Sequence, residues 1–222
     1  MLHPIERYFL NSLHCFMKAD AKMEPVDFTM EQWKDLYRIA DMHHVVPMVH
    51  EAICKAESFQ TADTQVRSVF KKRSLSILIM QTQKTSSFLK CYQEMINAGI
   101  KPLIVKGLIC RLLYKNPDLR KSSDEDLLIS KADFAKCDKF LLEYGFSRDD
   151  IDLANPPYEV SYFNRATGNL LEIHTALMPE DDGKFQKMNS FFANAFENAV
   201  AVNAEGTTVY TLKEEQHLLY LL

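Results

Sequence analysis

The chain is short of glycine, of unbroken apolar runs and of a charge excess, and each shortage removes a class of function. Only 6 glycines stand among 222 residues, and none has the spacing of a Walker or Rossmann loop, which excludes phosphate cradles of those types. Lys, Arg, Glu or Gln interrupts every apolar stretch before it nears the roughly 18 residues needed to cross a bilayer, so no membrane role is expected. The start, Met1-Leu-His-Pro-Ile-Glu-Arg7, places a proline and both charge signs where a secretion signal needs a basic start followed by an apolar run. The 5 cysteines are an odd, scattered set without a CxxC pair, and they read as reduced thiols of a cytoplasmic protein. With 26 basic and 30 acidic residues and a net charge of -4, no extended nucleic-acid surface is expected.

What is present is ordinary globular material, 47% hydrophobic and 25% charged, enough for one large or two small cores. Apolar residues recur at spacings of three and four through the first part of the chain, which predicts helices at about 4–19, 30–43, 46–58 and 62–97. Thr29 followed by Gln32 has the form of a capping box, and Asn97-Ala98-Gly99 is a helix stop.

Beyond Gly99 the texture becomes short apolar runs alternating with amphipathic segments, as in a sheet covered by helices. Strands are predicted at about 101–105, 124–129, 158–163 and 169–174, with a hairpin about residues 164–168 and another about 204–206. Helices are predicted at about 107–114, 131–144 and 184–198, with a last one from Lys213. The fold class expected is α+β: a helical N-terminal domain over about 1–98, a mixed α/β core over about 99–212, and the start of a C-terminal helix over about 213–222. That last apolar pattern reaches Leu222 without a cap, which fits either a helix that packs as it stands or a shortened chain.

Chemistry concentrates in Arg120-Lys-Ser-Ser-Asp124-Glu-Asp126, which runs into Leu127-Leu-Ile129. Strand side chains alternate, so Asp124 and Asp126 project from one face about 7 Å apart. Two such carboxylates can share a pair of hard cations about 4 Å apart that clamp an in-line phosphoryl displacement. The same pair also occurs as a solvated strand entrance. Glu172 and His174 repeat the spacing on another predicted strand, with Leu171 and Ile173 turned the other way, and Glu172 would supply a third carboxylate. A polar hairpin face would look the same. Lys106-Gly107 stands where strand passes to helix, a place for a phosphate or for a plain tight turn. Arg120 is a phosphate fork or a loop tie.

In order, Leu103-Ile-Val-Lys106-Gly107, Tyr114, Pro117-x-Leu119-Arg120, Ser123-Asp124-x-Asp126-Leu-Leu128, Tyr144-Gly145-Phe146 and Leu171-Glu172-x-His174 resemble a largely uncharacterised nucleotidyltransferase family. It belongs to the superfamily with the polymerase-beta-like core. Trp33 and Ala40-Asp-Met-His-His44-Val-Val-Pro47 are similar to that family's helical N-terminal region. The resemblance implies that Asp124, Asp126 and Glu172 are catalytic metal ligands, that Lys106, Gly107, Arg120 and Ser123 lie at the nucleotide phosphates, and that His174 stands behind, orienting Glu172 or closing the metal site. It further implies Mg2+ (or Mn2+) and an NTP, with a nucleoside monophosphate passing to a hydroxyl or amine of an unidentified small-molecule or protein acceptor. The alternative is a catalytically inactive module of the same fold that binds or regulates a partner.

One residue departs from the family pattern. Glu125 stands where an apolar residue is usual, on the side of Leu127 and Ile129, and burying it without a partner would cost several kcal/mol. His43, His44 and His50 cluster, but Pro47 breaks the helix between them, and they read as packing histidines rather than zinc ligands.

Overall fold

The computed structural model describes residues 2–18, 21–179 and 183–221. The chain divides into two compact units, Met1–Thr82 with Leu113–Lys121, and Gln83–Leu112 with Ser122–Leu222. Helices precede the sheet in the chain, in the expected class.

The first unit is built from α1 (Pro4–Met17), α2 (Met30–Met42), α3 (Val46–Ile53), α4 (Glu57–Gln60) and the opening turns of α5 (Thr64–Asn97). The capping box at α2 forms in both directions: the Gln32 amide N–H donates to Thr29 Oγ1 at 3.3 Å and the Thr29 N–H to Gln32 Oε1 at 2.8 Å. The core is aromatic. Trp33 meets Phe59 edge-on at 5.4 Å between centroids, and Phe59 meets Phe70 at 5.5 Å, geometries that suit the ring quadrupoles. His43 stacks on Phe9 and His50 on Phe70, so two of the three clustered histidines pack against rings. The single helix predicted over 46–58 is two, because a turn intervenes at residues 54–56 and the Gln60 side-chain amide caps the Cys54 carbonyl there.

The second unit holds a mixed sheet of six strands among the described residues, in the order β3-β4-β2-β1-β6-β5. They are β1 (Leu103–Ile104), β2 (Glu125–Leu128), β3 (Glu159–Asn164), β4 (Asn169–His174), β5 (Val200–Ala204) and β6 (Thr207–Thr211). Both predicted hairpins form, β3 with β4 and β5 with β6, each antiparallel. β2 runs parallel to β4 and antiparallel to β1, which in turn is parallel to β6.

One sheet face carries Ile104, Leu127, Ile129, Leu171 and Ile173 into a core completed by Phe88, Tyr92 and Met95 of α5 and by Phe134, Cys137 and Leu141 of α7 (Phe134–Glu143). α5 stops at a Schellman motif: Gly99 has φ +74, its N–H bonds the Ile96 carbonyl, and the Ile100 N–H bonds the Met95 carbonyl. On the other face Leu103, Val105 and Leu128 pack with Leu177, Phe192 and Leu212.

The described residues of the unit also form the short helices α6 (Leu108–Arg111), α8 (Gly183–Gln186) and α9 (Glu214–Leu221). The helix predicted over 184–198 is instead α8 followed by a 3-10 turn over Lys187–Phe192. Side chains there hold the segment in place: Asn189 bonds both the N–H and the carbonyl of Met178, which lies before the segment, and the Ser190 hydroxyl bonds the Lys187 carbonyl. No helix among the described residues is long and apolar enough to cross a membrane.

Candidate functional site

The parallel pairing of β2 with β4 sets the site. Asp126 is the register partner of Glu172, and Leu128 of His174. The antiparallel pairing of β3 places Ser161 beside Glu172 and Glu159 beside His174. Alternation sends Leu127, Leu171 and Ile173 into the helix-covered core, so Asp126, Glu172 and His174 share the opposite face.

On that face Asp126, Glu172 and His174 each offer a ligand atom, and these atoms lie within 4.8 Å of one another. Asp126 and His174 are buried and Glu172 is half-buried. His174 Nε2 is 3.4 Å from Asp126 Oδ1, and Nδ1 is 3.7 Å from Glu159 Oε2; neither ring nitrogen makes a hydrogen bond within the protein. A buried imidazole with both nitrogens unbonded, beside two carboxylates, suits a cation, since the ligands of one small divalent ion gather within about 3 to 4 Å of one another. Burial first, then the charges of Asp126, Glu159 and Asp124, push the Glu172 carboxyl above its ordinary value, while His174 pulls it the other way.

The other sequence candidates stand as follows. Asp124 is half-buried, just before β2 begins. Its charge reaches Glu172, but its carboxylate stands outside the converging three, one pleat farther along the strand. His174, expected behind the carboxylates, stands with them. Ser123 is exposed, and its carbonyl accepts a bond from Lys84 Nζ at 3.2 Å. Arg120 belongs to the first unit, with its guanidinium 5.9 Å from the centre of the Tyr114 ring.

Lys106 and Gly107 follow β1 directly. The Lys106 ammonium lies 4.7 Å from the centre of the Tyr220 ring in α9, a cation–π contact. Burial, then the charges of Asp126, Glu159 and Glu172, push the Tyr220 hydroxyl pKa up, which places the ring within the field of the acidic group. α9 is held here by His217, whose Nε2 donates to the Val105 carbonyl at 2.6 Å.

Gly107 has φ +59, and a Cβ built on it would stand 2.1 Å from Glu125 Oε2 and 2.8 Å from the Asp124 carbonyl oxygen. Only glycine fits. The reason is Glu125 itself. Its carboxylate turns inward, accepts the Leu108 N–H at 2.5 Å and pairs with Arg111 Nη2 at 2.6 Å. Arg111 is fully buried and donates from Nη1 to Thr85 Oγ1 at 2.8 Å. The first N–H of α6, expected at a phosphate, is thus bonded to the protein's own carboxylate. Burial drives the Glu125 carboxyl up to about 7, against the pull of Arg111 and the Leu108 N–H.

The partner that a buried Glu125 demands is Arg111. The available signal was a lone arginine inside the apolar run Leu108-Ile-Cys-Arg-Leu-Leu113. Glu159 and Tyr220 carried no local signal, since strand pairing and helix docking bring them to the face.

A family described as "Uncharacterised nucleotidyltransferase" matches residues 29–222. The chain belongs to this nucleotidyltransferase family. No curated protein and no solved structure matches it significantly. Nucleotidyl transfer is the general role that membership supports, and the acidic group on β2 and β4 is a place in this member where a divalent cation fits.

Proposed function

We propose that this nucleotidyltransferase binds an NTP with Mg2+ or Mn2+ on the β2–β4 face and moves the nucleoside monophosphate to a hydroxyl or amine of a small-molecule or protein acceptor. The observation that carries the reading is the convergence of Asp126, Glu172 and His174 within 4.8 Å in a chain of this family. Those three would hold the metal, with Asp124 one pleat away to meet a second ion or metal-bound water. A bound divalent ion supplies Lewis-acid polarisation of the phosphates and eases deprotonation of the acceptor.

The chain's own groups do the rest. Lys106 sets a positive charge beside the acidic face, where it neutralises phosphate oxygens. An imidazole as the third ligand, in place of a carboxylate, leaves the cluster less negative than three carboxylates would make it. Glu159, 3.7 Å from His174 Nδ1, stands where a carboxylate would take that N–H and orient the ring once the other nitrogen holds a metal. No protein nucleophile is needed, since the acceptor attacks the α-phosphate and pyrophosphate leaves.

The test is pyrophosphate release from each of the four NTPs with Mg2+ or Mn2+, over a panel of hydroxyl and amine acceptors, alongside thermal shift. Metal-dependent release that vanishes in Asp126→Asn supports the enzyme. A metal-dependent thermal shift without release from any NTP supports the binding module instead.

A further inference from the structure

We propose that Glu125 and Arg111 are positioning residues: an internal ion pair that locks the Gly107 turn onto β2 and so fixes Lys106 relative to Asp126. The inference rests on the reading of this face as an NTP–metal site.

The geometry is that of a clamp. Asp124 and Asp126 flank Glu125, which points through the other side of the strand. One carboxylate oxygen accepts the Leu108 N–H, and the other meets Arg111. The same oxygen that bonds Leu108 occupies the space of the missing Gly107 side chain. Strand β2, which carries the candidate ligands, is thereby bonded to the residue that directly follows Lys106-Gly107. Arg111 extends the clamp to α5 through Thr85.

Such a device is costly as a source of stability alone. A buried ion pair recovers little beyond its desolvation, and apolar residues of similar size often replace it without loss. At this position an apolar side chain would pack against Leu127 and Ile129 but could not hold the Leu108 N–H or fill the Gly107 concavity with an acceptor. What the pair adds is a fixed register between two segments that both face the proposed triphosphate.

A double-mutant cycle tests this. Wild type, Glu125→Gln, Lys106→Ala and the double variant are titrated with Mn2+ alone, read by electron paramagnetic resonance, and then with Mn2+ and the NTP that shifts wild type most. Glu125→Gln keeps an acceptor for Leu108 and loses the charge that anchors it. Should the unpaired Arg111 prevent folding, Arg111→Met with Glu125→Gln removes both charges together. The expected result is that Mn2+ alone binds Glu125→Gln within about threefold of wild type. Mn2+–NTP affinity falls about tenfold or more, and adding Lys106→Ala to Glu125→Gln costs little further, because both act through one ammonium. Hydrogen exchange at the Leu108 amide accelerates in Glu125→Gln even where the melting temperature is unchanged. Mn2+–NTP affinity within twofold of wild type, or losses that multiply in the double variant, would overturn the positioning role while leaving the site intact. A wild type that binds Mn2+ but no NTP overturns the parent reading and the positioning role with it.

Discussion

Asp126 and Glu172 face each other as register partners on adjacent parallel strands, and His174 completes the group from one pleat along β4. Neighbouring strands lie about 4.8 Å apart, so backbone pairing alone brings the two carboxylates together. Their repulsion is built in: at an effective dielectric near 20, two charges about 5 Å apart repel by about 3 kcal/mol, less where solvent screens them.

Asp126→Asn removes that repulsion while keeping the shape of the side chain. The metal-free protein should gain about 1 kcal/mol, a rise of about 2 to 4 °C in Tm for a chain of this size, and Mn2+ affinity should fall at least about a hundredfold. Calorimetry with and without Mn2+ checks both. An unchanged or lower Tm in the metal-free variant counts against a converged acidic group.

The pH dependence follows from the direction of the carboxyl shifts. Glu172 and Glu125 both titrate above their unfolded values. The folded state therefore holds more protons than the unfolded chain between the ordinary carboxylate range and the raised values, about pH 7 for Glu125. Stability contributed by these groups is present at low pH and is lost as pH rises through that window. Metal binding has the opposite sign, since the ion needs ionised Glu172. Metal-free Tm should thus fall between about pH 5 and pH 7, and the Tm increment produced by Mn2+ should grow over the same interval, read by thermal shift across buffers.

On the proposed reading, His174 bears on which metal the site prefers. Mg2+ takes oxygen ligands in a near-ideal octahedron, and Mn2+, although it too prefers oxygen, is the softer ion and tolerates an imidazole better. His174→Asn exchanges the ring for an amide oxygen and should weaken Mn2+ about tenfold while Mg2+ changes by about threefold or less. Competition titrations of the two ions check this, and a parallel loss of both would mean that the ring acts only by packing.

A control lies elsewhere in the second unit. Asp138 accepts bonds from Arg148 Nε at 2.5 Å and from the Tyr162 hydroxyl at 2.7 Å. Burial raises its pKa, but those bonds more than offset burial and hold it below the ordinary value. Its contribution to stability has the reverse sign to that of Glu172: present above the ordinary carboxylate range and lost as pH falls through the depressed value. Asp138→Asn should cost about 3 kcal/mol by leaving Arg148 unpaired, measured by urea denaturation, without changing Mn2+ affinity per folded molecule.

How much of this was readable in the sequence depends on whether the cause was local. The Thr29–Gln32 box, the Gly99 stop and the two hairpins arise from neighbours in the chain, and they form as read. The Glu-x-His spacing carried the common facing of Glu172 and His174, because alternation along a strand is local too. Which acid meets which is a matter of β2–β4 register between distant segments, and it brings His174 into the group while Asp124 stays a pleat away. Arg111 was hidden because an apolar helix start gives no sign that its one cation turns inward. The predicted helix over 184–198 gives way to a 3-10 turn where Asn189 ties the segment to the Met178 backbone, a contact with a residue outside the segment that apolar periodicity does not register.

On the proposed reading, Asp126, Glu172 and His174 hold a divalent ion to which an NTP binds. Electron paramagnetic resonance titration of Mn2+ into the wild-type protein and into Asp126→Asn, each with and without every one of the four NTPs, tests it most directly. The expected result is saturable Mn2+ binding by wild type, tightened by at least one NTP and absent from Asp126→Asn. Equal Mn2+ binding by the two proteins, or no NTP effect on wild type, would contradict it.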